Sequence, residues 1–226
     1  MKIFRRLGQC FHTAWGWTKI LVQVVRGVWK VSSLDEPIVT VFGGSRFLQT
    51  DPYALQAHKL AQMFVDHDVS VLTGGGPGIM EAASCGAIVQ KGGNGKGISL
   101  GINVPGLEGK NPCVHEYFEI SHLFARKYLL THFSDAFVVF PGGFGTLDEL
   151  AEILTLIKVH KMPRLPIILI GIAYWEPFLA WLRNQVIVHG AISNQDLETF
   201  VVTDDLDRAF SLACATCRIT FPEVDN

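Results

Sequence analysis

No run in this chain approaches the ~20 uncharged apolar residues that a bilayer-spanning helix needs. No small-residue cleavage site follows the first hydrophobic stretch, so a signal peptide is not expected. The phosphate loop GxxxxGK[ST] is missing, and no glycine turn fits G-x-G-x-x-G in register. A kinase or a nicotinamide oxidoreductase therefore lacks its motif. Cysteine is sparse and odd in number, five in all at 10, 85, 113, 214 and 217. That count argues against a disulfide framework and for a reducing compartment, so a cytoplasmic location is expected. Cys214-Ala-Thr-Cys217 is a lone CxxC without a second pair and reads as coincidence. A net charge of −2 makes no case for a nucleic-acid partner.

Acid is absent from residues 1–33, which carry +6 and leave −8 for the remainder. At about 100° per residue, Ile3 to Lys30 sorts onto a helical wheel. Phe4, Leu7, Phe11, Trp15, Leu21, Val22, Val25, Val28 and Trp29 fall on one face, with Arg5, Gln9, His12, Lys19, Gln23, Arg26 and Lys30 opposite. Two readings stay open. The helix docks its apolar face on the domain or a partner subunit, or residues 3–30 lie at a membrane surface with Trp15, Trp17 and Trp29 at the boundary.

What the chain has in quantity is core. Of its 226 residues 49% are apolar and 18% charged, enough for one domain that folds alone. Residues 1–35 are expected to form the basic amphipathic helix, and 36–220 a single Rossmann-like domain. From Pro37 short apolar runs alternate with helix-length amphipathic segments. Strands are expected at 38–42, 69–72, 98–102, 136–140, 166–170 and 200–202, with a short one at 117–120. Helices are expected at 52–67, 77–90, 122–133, 147–159, 175–188 and 206–217. Lys91-Gly-Gly-Asn-Gly-Lys-Gly97 reads as flexible surface. Strands that are apolar throughout imply a parallel sheet covered on both faces. The fold class is thus α/β, doubly wound, with ligands beyond the carboxyl ends of the strands.

Three strands end in glycine-rich turns: Gly43-Gly44-Ser45-Arg46, Gly74-Gly75-Gly76-Pro77-Gly78 and Pro141-Gly142-Gly143-Phe144-Gly145-Thr146. One such turn is ordinarily only a tight strand-to-helix connection. Three on one sheet edge suit a phosphate held on backbone N–H groups, with the Thr146 hydroxyl and Arg46 in support. Asp148 and Glu149 are expected in the first turn of the following helix, where the dipole alone stabilises an acid by about 0.3–1 kcal/mol. Glu81 is placed similarly after the triple glycine. A carboxylate beside a phosphate site also suits ribosyl chemistry, because glycosidic cleavage passes through an oxocarbenium-like sugar. Arg126-Lys127 reads either as a solvated helix face or as a phosphate or base contact.

Gly74-Gly-Gly-Pro-Gly-Ile-Met-Glu-Ala82, Arg126-Lys127 and Pro141-Gly-Gly-Phe-Gly-Thr-Leu-Asp-Glu149 resemble the LOG ("Lonely Guy") family. Its members are cytokinin riboside 5′-monophosphate phosphoribohydrolases, often mislabelled lysine decarboxylases. The likeness runs from about Pro37 to Leu182, and its PGGxGTxxE motif is far more specific than a bare glycine loop. Gly101-Ile-Asn103 through Asn111-Pro112 looks like the longer bacterial branch. The resemblance implies hydrolysis of a purine nucleoside 5′-monophosphate, N6-modified or plain AMP, to free base and ribose 5-phosphate. It implies Arg126 and Glu149 as the catalytic pair and Gly142, Gly143, Gly145 and Thr146 around the phosphate. It implies Gly75, Gly76 and Glu81 on the nucleotide side. Gly44, Ser45, Arg46, Asn103 and Lys127 are expected as further phosphate or nucleotide contacts. It further implies a homodimer or larger homo-oligomer, no cofactor and no metal. Decarboxylation generally requires pyridoxal phosphate on a Schiff-base lysine. No lysine lies in these glycine turns, and Lys127 alone is close.

Rival readings come from other classes. Relatives of the same fold carry molybdenum cofactor, and the glycine turns would serve that too, but a carrier has no need of Glu149. A membrane-recruited scaffold rests on residues 1–33 alone. A zinc site from His115, Glu116, Glu119 and His122 matches no standard ligand spacing.

Overall fold

The computed structural model describes residues 2–34, 36–88 and 97–215, with backbone alone for 2–15. The helices are α1 (Lys2–Val31), α2 (Pro52–Asp66), α3 (Ile79–Gly86), α4 (Leu123–His132), α5 (Phe144–Lys158), α6 (Ile172–Trp181), α7 (Asn194–Leu197) and α8 (Leu206–Cys214). The strands are β1 (Ile38–Phe42), β2 (Ser70–Thr73), β3 (Ser99–Asn103), β4 (Glu116–Glu119), β5 (Ala136–Val139), β6 (Ile167–Ile170) and β7 (Val201–Thr203). They pair in the order β4-β3-β2-β1-β5-β6-β7, all parallel. The expected doubly wound sheet is therefore present.

Period-two alternation in a strand buried on both sides sends neighbouring residues to opposite layers. Phe42, Leu72, Leu100, Phe137, Val139 and Leu169 face one layer, with Leu129 of α4, Ile153 of α5 and Trp175 of α6. Val39, Val41, Val71, Ala136, Val138 and Ile168 face the other, with Leu60 and Phe64 of α2, Ile79 of α3 and Ala209 of α8. Each fully buried Leu, Ile or Phe contributes about 1.5–3 kcal/mol. Thr40 is polar at the centre, and its hydroxyl donates to the Leu130 carbonyl (3.0 Å).

Local chemistry sets several boundaries. Asp51 caps α2 by accepting from the Tyr53 N–H, with Pro52 pre-set at the first helical position. Asp205 caps α8 in the same way. A six-residue π-helix, Leu182–Ile187, follows α6, so the helix expected at 175–188 begins earlier and changes pitch near its end.

Two expectations are corrected. Cys85 of α3 and Cys113 of the β3–β4 loop form a disulfide, against the expectation that the cysteines form no disulfide framework. Their pairing needs that loop to fold back over α3, which cysteine spacing does not disclose. The N-terminal helix docks, but not by the face expected. Ile20, Gly27 and Val31 are buried, whereas Leu21, Val22, Val25 and Trp29 are exposed, Trp29 at 79%. Gly27 decides this, because a Cβ there would collide with Leu129, so the bare backbone becomes the packing face. Gln23 bonding to Ser121 and Lys30 pairing with Glu116 fix the same orientation. Among the described residues no helix is long and apolar enough to cross a membrane. The flexible surface expected at 91–97, the end of the helix expected to reach Gln90, and Cys217 fall largely or wholly outside the described residues.

Candidate active site

The strand order reverses between β1 and β5, and there the chain opens a crevice. The register pairs Phe42 with Val139, and the Gly44 N–H donates to the Pro141 carbonyl (3.0 Å), so the two turns are stitched edge to edge. Tyr174, at the start of α6, donates its hydroxyl to the Gly142 carbonyl (2.6 Å) and holds the second turn from outside.

Helix α5 starts at Phe144, three residues before the expected start. Gly143 precedes it without a side-chain cap, so the first-turn N–H groups have no intrahelical partner, and Phe144, Gly145 and Thr146 line the crevice. A Cβ at Gly143 or Gly145 would meet no atom within 4 Å. The earlier start moves Asp148 and Glu149 into the second turn of α5, away from the strongest part of the dipole. The expectation that they are first-turn acids is thus corrected, and dipole stabilisation no longer accounts for them.

The turn after β2 is filled instead of open. A Cβ at Gly74 would fall on the Arg126 guanidinium and the Met80 sulfur, and one at Gly76 on the Glu108 carboxylate. Arg126 is 5% exposed. It reaches from α4 to the Gly74 carbonyl (3.4 Å), the Met80 sulfur (3.8 Å) and Glu108 (4.0 Å). Its Nε is buried without a hydrogen-bond partner. Lys127, next along α4, pairs with Asp148 (2.9 Å) and Glu152 (3.0 Å). Burial works against its charge, but those carboxylates outweigh burial and hold Lys127 above its ordinary range.

The cavity between these turns measures about 700 Å³, well within the size range of small-molecule sites. Gly44, Ser45, Arg46, Arg126, Lys127, Gly142, Gly143, Gly145, Thr146 and Glu149 all line it. Enclosure pushes the Glu149 carboxyl up to about 7; Arg126 pulls it down, Glu108 and Asp148 push it further, and Lys127 opposes them. An acid poised there exchanges a proton readily at neutral pH.

Gly75, Gly76, Glu81 and Asn103 are absent from the lining. Asn103 is buried, and its side chain donates to the Glu108 carbonyl and accepts from the Val104 N–H, so it shapes the loop beside the cavity. His115 is held by Ser99 and Glu116 by Lys30, and among the described residues no metal-binding cluster forms. Met80, Leu107, Glu108, Leu123 and Tyr174 line the cavity without having been singled out from sequence. Tyr174 lies just past β6, where the strand-end rule points; a lone acid in a Gly/Pro loop carries no such signal.

A family model described as "Possible lysine decarboxylase" matches residues 80–212, more than half of the chain. The chain belongs to this family. Within 152 residues it is 30% identical to the rice (Oryza sativa subsp. japonica) cytokinin riboside 5′-monophosphate phosphoribohydrolase, covering 66% of this chain and 61% of that one. Over 195 residues it is 25% identical to the Escherichia coli K12 pyrimidine/purine nucleotide 5′-monophosphate nucleosidase, covering 83% of this chain and 42% of that one. The chain thus spans less than two thirds of either relative's length. Among solved structures, the molybdenum cofactor binding protein of Rippkaea orientalis superposes with a TM-score of 0.58 at 25% identity, over 81% of this chain and 98% of that one.

Proposed function

We propose that this family member hydrolyses the N-glycosidic bond of a purine nucleoside 5′-monophosphate, releasing free base and ribose 5-phosphate. The observation that carries the reading is the meeting of Glu149 and Arg126 in the cavity into which the uncapped start of α5 opens. Relatives named for nucleotide N-glycoside cleavage support the same chemistry.

In this reading the 5′-phosphate sits on the N–H groups of Phe144, Gly145 and Thr146, with the Thr146 hydroxyl and Arg46 beside it. That places the sugar toward Glu149. Ionised Glu149 faces C1′ as positive charge develops there and takes a proton from the attacking water. Water oxygen ends on C1′, and the proton passes through Glu149 to the departing base nitrogen. Arg126 orients the nucleotide from the buried side. A carrier of an anionic pterin would use the glycine turns but gain nothing from a carboxylate facing its ligand.

The test is release of free base from AMP and from N6-isopentenyl-AMP by wild type and Glu149→Ala. Release from at least one nucleotide, lost by a thousandfold or more in the variant, is expected. Folded wild type that releases base from neither would sink hydrolysis in favour of carriage.

A further inference from the structure

Glu108 lies in the loop between β3 and β4 and lines the cavity. One contact holds its backbone and others hold the loop that carries it. Asn103 Nδ2 donates to the Glu108 carbonyl (3.1 Å), the Asn111 N–H donates to the Gly75 carbonyl (3.1 Å), and Asn111 Nδ2 donates to the Gly76 carbonyl (3.1 Å). The Cys85–Cys113 bond closes the loop onto α3. Gly76, lacking a side chain, leaves the space that the carboxylate fills.

That carboxylate is unfinished. Its Oε2 is buried and accepts no hydrogen bond. Arg126 stands at 4.0 Å, close enough to attract and too far to donate, and its NH2 is already turned to Gly74. A buried carboxylate oxygen without a donor is costly, and a loop pinned at this many points does not relax to hide it. What fits is a hydrogen-bond donor brought by the ligand. A phosphate is excluded by like charge, and in the reading above it sits on the start of α5.

We infer that Glu108 is a substrate-contacting residue, accepting through Oε2 a hydrogen bond from a donor on the nucleoside half of the bound nucleotide. The donor is a sugar hydroxyl or the amino group of the base. This rests on the hydrolase reading above and goes beyond it by assigning a second acid of the site to recognition.

The experiment compares AMP with 2′-deoxy-AMP, 3′-deoxy-AMP and purine riboside 5′-monophosphate, each lacking one donor group of AMP, on wild type, Glu108→Ala and Glu108→Gln. Wild type is expected to lose roughly tenfold to a hundredfold in kcat/KM on one of the three. Glu108→Ala should lose a similar factor on AMP and no longer discriminate that analogue. Glu108→Gln, which keeps an acceptor oxygen and the side-chain volume, should recover part of the rate. Wild type indifferent to all three analogues, or a folded variant that still discriminates as wild type does, overturns the inference. If wild type releases no base, the hydrolase reading fails separately, and calorimetric binding of AMP decides. A tenfold weaker Kd in the folded Glu108→Ala variant, partly restored in Glu108→Gln, upholds the contact, and equal binding by wild type and Glu108→Ala, or none, overturns it.

Discussion

Gly74–Gly78 after β2 and Pro141–Gly145 after β5 each crowd glycines and a proline into five residues at the carboxyl edge of one sheet. At the first, the room left by missing side chains is taken by Arg126, Met80 and Glu108 from elsewhere in the chain. At the second, Gly143 and Gly145 have nothing within 4 Å of where a Cβ would stand. Glycine thus does two different jobs on either side of β1. One turn makes room for the protein's own side chains, and the other leaves its space open to the cavity. Only the surroundings distinguish them, because both are short, glycine-rich and placed at a strand end.

Substitution should separate the two turns most sharply where space is already used. Gly74→Ala drives a methyl group into the Arg126 guanidinium. We expect base release to fall on the order of 100-fold, as for an active group displaced by about 1 Å. Stability should fall by roughly 1–3 kcal/mol from overpacking, read by urea melts. A variant hydrolysing at the wild-type rate would show that the position of Arg126 does not matter.

Gly145→Ala should do the reverse. Alanine suits a helix better than glycine, so stability should hold or rise by about 0.5–1 kcal/mol. The added methyl group stands where the phosphate is proposed to lie, so KM for AMP should rise about tenfold with kcat little changed. A KM equal to wild type would remove the phosphate from this turn.

The smallest effects concern protons. With Glu149 held at about 7 and active when ionised, kcat/KM should climb with pH along a limb centred near 7. The groups facing Glu149 are Arg126, Glu108, Asp148 and Lys127. Replacing Glu108 with Gln removes one negative neighbour and should move the limb to lower pH. Stability runs the other way with pH. The folded protein holds this proton more tightly than the unfolded chain. The contribution is complete below the ordinary glutamate range and lost as pH rises through about 7. Melting temperatures at pH 5 and pH 8 should therefore differ less in Glu149→Gln than in wild type.

Much of the frame could be read from sequence, because it rests on short-range rules. Apolar runs such as Ile38–Phe42 and Ile167–Ile170 announced buried parallel strands, and Asp51-Pro52 announced the start of α2. The start of α5 was missed because Phe144-Gly145-Thr146 is a poor helix-forming triplet, held helical here by the fold around it. Glu108 was missed for a different reason. Its importance comes from neighbours distant in sequence, Gly76 and Arg126, and no local pattern encodes them. The docking face of α1 was misjudged because a wheel weights large side chains, while Gly27 was the residue that fitted against Leu129.

The pairing of β1 with β5 has a consequence for assembly. Val39 lies opposite Ala136, and the Ile38 N–H donates to Asp135 from 97 residues further along. Until that return is made, Gly44 has no Pro141 beside it and no cavity wall exists. The cavity is therefore an outcome of closing the middle of the sheet, and neither half of the chain contains it in miniature. Turnover would then serve as a readout of native strand register. A slip of one residue would break the Gly44–Pro141 link and turn β5 side chains toward the wrong layer. The molecule could keep its helices and still lose its chemistry completely.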